Sequence, residues 1–226
     1  MKLAPRPVQS SAVPAGVSLL YADAALLVLD KPPGLLSVPG RGADRQDCLS
    51  ARVQRLYPDA LVVHRLDMAT SGLMLLARGA VAQRTLSAAF AARSISKRYV
   101  AVVDGHLLAD AEDWACIALP IAVDWPRRPL RVVDAVRGKP SVTRWRVLSH
   151  DPARASTRLE LEPLTGRSHQ LRVHLQALGH PILGDTLYGC DRTQALSERL
   201  LLHASTIELE HPISRQSMRF DSPPGF

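Results

Sequence analysis

The 226-residue chain is short of cysteine and of lysine, and it lacks any apolar run long enough to cross a membrane as a helix. Cys48, Cys116 and Cys190 are odd in number, widely spaced and outside any paired metal-ligand spacing. That excludes a disulfide framework and a structural zinc site, and it fits the reduced cytosol. Pro5, Pro7 and Pro14 interrupt the N-terminus where a secretory signal needs a continuous apolar core, so export is not expected. A phosphate-cradling Gly-x-x-x-x-Gly-Lys-Ser/Thr loop and a dinucleotide fingerprint after a strand are both missing, which removes the motif support for ATP-driven and NAD-dependent chemistry. Lysine supplies only four of the 28 cationic side chains, at positions 2, 31, 97 and 139.

Nearly all the positive charge therefore sits on guanidinium forks, which bind phosphate bidentately and stack on bases. With 28 Lys and Arg against 21 Asp and Glu, the net charge is +7 and the pI about 9.8, a balance that favours a polyanionic partner. Hydrophobic residues at 46% and charged residues at 22% are ordinary for a globular domain of this length. A compositional origin of the arginine excess remains the alternative while charge is the sole observation.

Residues 1–17 read as a loose arm. Short apolar runs at 19–21 and 26–29 predict a strand pair that enters a rigid turn at Lys31 to Gly34. Asp47 is placed to cap a helix with Leu49, Val53 and Leu56 on its apolar side. Strands are expected at 61–64 and 73–76 around a polar break from Asp67 to Gly72, a helix at 80–93 and a strand at 97–103. The stretches 114–119, 130–133, 141–148 and 157–161 read as an antiparallel sheet. A helix over 167–178 stops at Gly179, and strands close the chain at 205–209 and 216–220.

Two stretches are candidates for chemistry. In the first, Asp67 lies between apolar runs with Arg65 two residues before it and Thr70 and Ser71 after it, the makings of a nucleophile or base in a tight loop. An Asp67 that caps a turn and pairs with Arg65 is the competing reading. In the second, 164–174, Leu171 and Leu175 share one side of the expected helix and Gln170 and His174 another. Arg172 lies outside the apolar stripe, free to reach a distant Asp, to bind phosphate at the surface, or to be solvated. His169, His174 and His203 lack a metal motif and read as core or surface histidines. Tyr99, between basic residues, offers a ring for stacking and a phenol for proton transfer, or a core filler.

The order and separation of HRLD at 64–67 and GRSHQLRVH at 166–174 resemble the RluA-type pseudouridine synthases. The likeness runs from about Tyr21 to Phe226 and takes in KPPGLLSVPG at 31–40, HRLDMATSG at 64–72, KRYVA at 97–101 and GHPILGD at 179–185. Within that family it is closest to the dual-specificity kind, through Leu35 to Gly40, Asp67 to Gly72, Asp124 to Pro126 and Leu201 to Ala204.

The resemblance implies a single α+β catalytic domain over 18–226, built on a mostly antiparallel mixed β-sheet with flanking helices. It implies an isomerase converting uridine to pseudouridine in structured RNA, both 23S ribosomal RNA and tRNA. Asp67 matches the catalytic aspartate, Tyr99 the active-site tyrosine and Arg172 the basic partner of the aspartate. Arg65 matches the residue that fills the stack when the uridine flips out, and His64, Thr70, Arg167, Gln170 and Leu171 are expected along the RNA or the pocket. No metal and no cofactor are expected, and the chain is expected to be a cytoplasmic monomer without membrane contact. A single-substrate synthase, a catalytically silent RNA-binding protein and a hydrolase using Asp67 are the rivals.

Overall fold

The computed structural model describes residues 16–108 and 113–226. In chain order the strands are β1 (Ser18–Ala22), β2 (Leu26–Lys31), β3 (Ala60–Val62), β4 (Ser71–Arg78), β5 (Ser96–Asp104), β6 (Ala115–Ile117), β7 (Ile121–Val123), β8 (Arg131–Val133), β9 (Thr143–Asp151), β10 (Ser156–Pro163), β11 (Leu202–Glu210) and β12 (Ser217–Asp221). The α-helices are α1 (Leu49–Gln54), α2 (Gly79–Ala92), α3 (Gln170–Ala177) and α4 (Asp191–Ala195). Two compact units result, one from the described part of Met1–Lys97 with His203–Gly225, the other from Arg98–Leu202 with Phe226.

In the first unit β4 is central because Leu73 to Ala77 are all buried, an apolar run that needs cover on both faces. It pairs antiparallel with β2, from Leu26 opposite Ala77 to Lys31 opposite Gly72. Its other edge is shared, β3 pairing antiparallel at Ala60 to Val62 and β11 pairing parallel where His203 meets Ser71. β1 extends the sheet beyond β2, and β12 pairs with β11. One face is closed by α2, whose Ala82 and Leu86 pack with Val28, Leu73, Leu75, Ile207 and Phe220. Gly72 has φ +109, and a Cβ there would lie 2.3 Å from the Ala204 carbonyl oxygen. Only glycine lets the two parallel strands approach so closely.

In the second unit β10 is the middle strand, pairing antiparallel with β5 and β9, and β9 in turn with β6. The alternation of β10 is plain, Leu159 and Leu161 buried beside Ala101, Val103 and Trp145. The strands β7 and β8 form a separate two-stranded ribbon, and Ile121 with Val133 packs on Val173 of α3.

The described strand pairings are antiparallel except that of β4 with β11, so the sheet is mixed and mostly antiparallel with flanking helices, the expected fold class. Several local expectations differ. Asp47 does not cap α1: Cys48 is the N-cap, its sulfur accepting from the Ala51 amide, while Asp47 holds the Arg52 guanidinium at 2.6 Å. The reason is that the Leu49 amide donates to the Leu36 carbonyl at 2.7 Å, which fixes the helix start one residue later than the cap expected from sequence. Leu56 is exposed, because α1 ends at Gln54. The ribbon strand β7 and the helix α4 were not expected. The expected arm at 1–17 lies outside the described residues up to position 15, and Val17 is already buried.

Candidate active site

Asp67 sits in a turn between β3 and β4, closed by the Thr70 amide donating to the Asp67 carbonyl at 3.1 Å. Both neighbours of Asp67 are held by one segment, residues 31–37. On the preceding side, the Ser37 hydroxyl donates to the Leu66 carbonyl at 2.7 Å and accepts from the Leu66 amide at 3.1 Å. On the following side, the Met68 carbonyl accepts from the Gly34 amide at 2.9 Å and from the Lys31 ammonium at 3.0 Å.

Lys31 is fully buried, and its Nζ donates also to the carbonyls of Pro32 at 2.9 Å and Leu35 at 2.8 Å. A buried ammonium is tolerable when its donors are matched by fixed acceptors, and this one is. The segment is itself anchored, since the carbonyls of Leu36 and Ser37 accept from the Leu49 and Ser50 amides that open α1. The proline turn expected at 31–34 is therefore one jaw of a clamp on the Asp67 loop.

Around this loop the exposed side chains are Arg65 and Met68, while Asp67 is half-buried. Two residues expected to meet RNA also make contacts within the protein. The Nε2 of His64 accepts from the Leu75 amide at 2.8 Å and its ring stacks on Phe90 with centroids 4.4 Å apart. Burial, with the charge of Lys97 adding to it, pushes the His64 pKa down to about 3, so the imidazole is neutral and serves to hold β4. Thr70 is buried, its amide spent on the turn.

A second buried polar chain fixes the exit of the loop. Ser71 Oγ and His203 Nδ1 are 2.8 Å apart, and His203 Nε2 donates to the Ser222 carbonyl at 3.0 Å. The Ser222 hydroxyl donates to the Asp30 carboxylate, next to Lys31. The Nε2 donation leaves Nδ1 to accept from Ser71, the tautomer this chain requires.

In the other unit, Tyr99 lies on β5 opposite Leu161 and is half-buried. Arg172 is 3% exposed, so the surface-phosphate and solvated readings of that side chain do not hold. Its Nε and Nη2 donate to Asp185 at 2.8 and 2.7 Å, a bidentate pair with a carboxylate that is itself fully buried. Asp185 also accepts from the Leu187 and Tyr188 amides, and the guanidinium lies 5.0 Å from the Tyr188 ring centre. Asp185 therefore fixes the plane of Arg172, a task unassigned from sequence although the residue stood in a recognised stretch.

Gln170 is 4% exposed, and its side chain is hydrogen-bonded within the protein. Its Oε1 accepts from the Thr165 hydroxyl and the Arg167 amide, and its Nε2 donates to the Val142 carbonyl and Thr143 hydroxyl, all between 2.7 and 3.0 Å. This side chain staples the 165–169 loop to β9 and delays the start of α3 to position 170. Leu171 is buried, whereas Arg167 is exposed. His174 is buried between Thr143 and the Leu119 carbonyl, and its pKa is lowered by burial. Among the described residues no cluster of three His, Cys, Asp or Glu side chains is placed to hold a metal ion.

The family model for RNA pseudouridylate synthases matches residues 25–177, which spans the clamp, the Asp67 loop, Tyr99 and Arg172. The chain belongs to this family. It is accordingly an RNA pseudouridine synthase, an isomerase. The dual-specificity RNA pseudouridine synthase RluA of Escherichia coli K12 is 47% identical over 208 residues, covering 92% of this chain and 93% of that one. The protein of the same name from Pasteurella multocida is 44% identical over 210 residues, covering 93% and 94%. Among solved structures, human RNA pseudouridylate synthase domain containing 1 superposes with a TM-score of 0.76 at 28% identity, over 97% of this chain and 87% of that one. No helix among the described residues is long and apolar enough to cross a membrane.

Proposed function

We propose that this synthase modifies two RNAs, a 23S ribosomal RNA hairpin and a tRNA anticodon stem-loop, with Asp67 as the nucleophile. The support for two substrates is the 47% identity to a protein named for dual specificity over nearly the full length of both chains. The support for Asp67 is the clamp: seven residues of chain, 31–37, immobilise the backbone on both sides of one half-buried carboxylate. Such rigidity is what a reacting group needs, since preorganisation of the attacking atom is worth several kcal/mol.

The reaction breaks the bond from ribose C1′ to uracil N1, turns the base and joins C1′ to C5, with the C5 proton leaving and N1 ending protonated. No electron is gained or lost, so one nucleophile and one proton carrier suffice. Tyr99 and Arg172 take the roles of the family's active-site tyrosine and the aspartate's basic partner, and Arg65 fills the vacancy left by the extruded base. Extrusion costs a few kcal/mol and is cheapest in a loop, where bases are already unstacked. The exposed Trp125, with the Arg128 guanidinium 4.4 Å from its ring centre, offers a further stacking platform on the connection between β7 and β8. Its reduced cysteines and its RNA substrates make the chain a cytoplasmic protein in this reading, active as a monomer.

The test is tritium release from both RNAs labelled at uridine C5, by the native protein and by Asp67→Asn. Release from both, lost in the variant while RNA affinity stays, is the expected result. Equal release by Asp67→Asn removes the aspartate from the mechanism, and release from one RNA alone removes the second substrate.

A further inference from the structure

The two lysines that flank this region are treated in opposite ways. Lys31 is matched by three carbonyls, whereas Lys97, the second residue of β5, is half-buried with no hydrogen bond or ion pair from its ammonium among the described residues. The nearest cover is the Phe90 ring, 6.0 Å from Nζ to the centroid, at the outer limit of a cation–π contact. Burial lowers the Lys97 pKa. His64, stacked on the same Phe90, is held neutral and supplies no counter-charge.

A half-buried ammonium that no carboxylate or carbonyl of the described residues engages leaves its charge for an anion from outside the chain, and partial burial strengthens that attraction. The position narrows the ligand. Lys97 lies at the Phe90 ring on which His64 stacks, and the chain neighbour of His64, Arg65, is exposed at the root of the Asp67 loop. We infer that Lys97 is an RNA-contact residue whose ammonium takes a phosphodiester of the strand that carries the target uridine. The inference rests on the reading of structured RNA as substrate. It assigns to Lys97 a charge contact with the backbone, which reads no sequence and serves both RNAs alike.

The experiment is the salt dependence of binding to a fluorescent tRNA anticodon stem-loop, between about 50 and 200 mM KCl. Wild type is compared with Lys97→Met, Lys97→Gln and Lys97→Arg, each checked for native circular dichroism. One lost phosphate contact makes the slope of log K against log salt shallower by about 0.7 to 0.9. That change is expected in the Met and Gln variants, with affinity down about fivefold at the lowest salt and the Arg variant retaining the wild-type slope. Gln keeps most of the reach and polarity of the side chain, so it decides the matter if Met disturbs folding. A wild-type slope in a folded Met or Gln variant overturns the inference, as does an Arg variant that loses as much slope as Met. Tritium release by the wild type from the same stem-loop is measured in parallel. Its absence overturns the substrate assignment and leaves the slope comparison to judge Lys97 separately.

Discussion

Replacing Lys31 with Met keeps the buried stem and removes the ammonium that ties three carbonyls together. The carbonyls of Pro32 and Leu35 lose a donor at 2.9 and 2.8 Å, and that of Met68 keeps only the Gly34 amide. One buried and one partly buried acceptor stripped of that donor, at about 1 to 2 kcal/mol each, predict a loss of about 2 to 3 kcal/mol in unfolding free energy. Relief from desolvating a buried charge works against this and keeps the figure from being larger. Urea unfolding measures it. The functional loss is expected to be steeper, because the jaw that holds Met68 loosens next to Asp67, and a displacement of about 1 Å costs about a hundredfold in rate. Tritium release at saturating RNA, under conditions where the variant is still folded, reads that term. A variant whose turnover stays within about threefold of wild type refutes the clamp as a positioning device. A stability loss under about 1 kcal/mol refutes the accounting of its hydrogen bonds.

Two other outcomes follow from the same structure. His64 has its native pKa pushed down to about 3, against an ordinary histidine value near 6.5, so between these pH values the unfolded chain binds a proton that the native one refuses. Its contribution is complete above about pH 6.5 and declines as pH falls, by about 2 kcal/mol at pH 5. Urea unfolding at pH 7.5 and 5 should show this slope in the wild type and a flatter one in His64→Gln, and equal slopes would contradict the assignment. Asp185→Asn breaks a bidentate pair between side chains that are 3% and 0% exposed, and a cost of about 3 kcal/mol is expected in thermal unfolding. A melting temperature equal to wild type would show that Asp185 does not hold the Arg172 plane.

Much of the sheet was legible because its strands are local patterns. The continuous apolar run at 73–77 marks a central strand, and the alternation at 157–161 marks a half-covered one, whatever lies beside them. The boundaries were less so. The start of α1 depends on the Leu36 carbonyl and the start of α3 on the side chain of Gln170, neither of which is a helix-capping signal in the sequence. The short β7 and α4 offered too little periodicity to register.

The sequence by itself determined the family, the reacting aspartate as a candidate and the basic, arginine-rich character, because these reside in residue identity and spacing. What only the tertiary structure decided is which polar groups are already spent. Lys31 reaches Met68 across 37 residues and Ser37 reaches Leu66 across 29, while Arg172 meets Asp185, and no local pattern records such pairings. The internal hydrogen bonds of His64, Thr70 and Gln170 are likewise invisible as letters and exist only once the chain is folded. The physical reason is that a buried donor or acceptor must find its complement among whatever groups the fold brings within about 3 Å, and that neighbourhood exists only after the strands have paired.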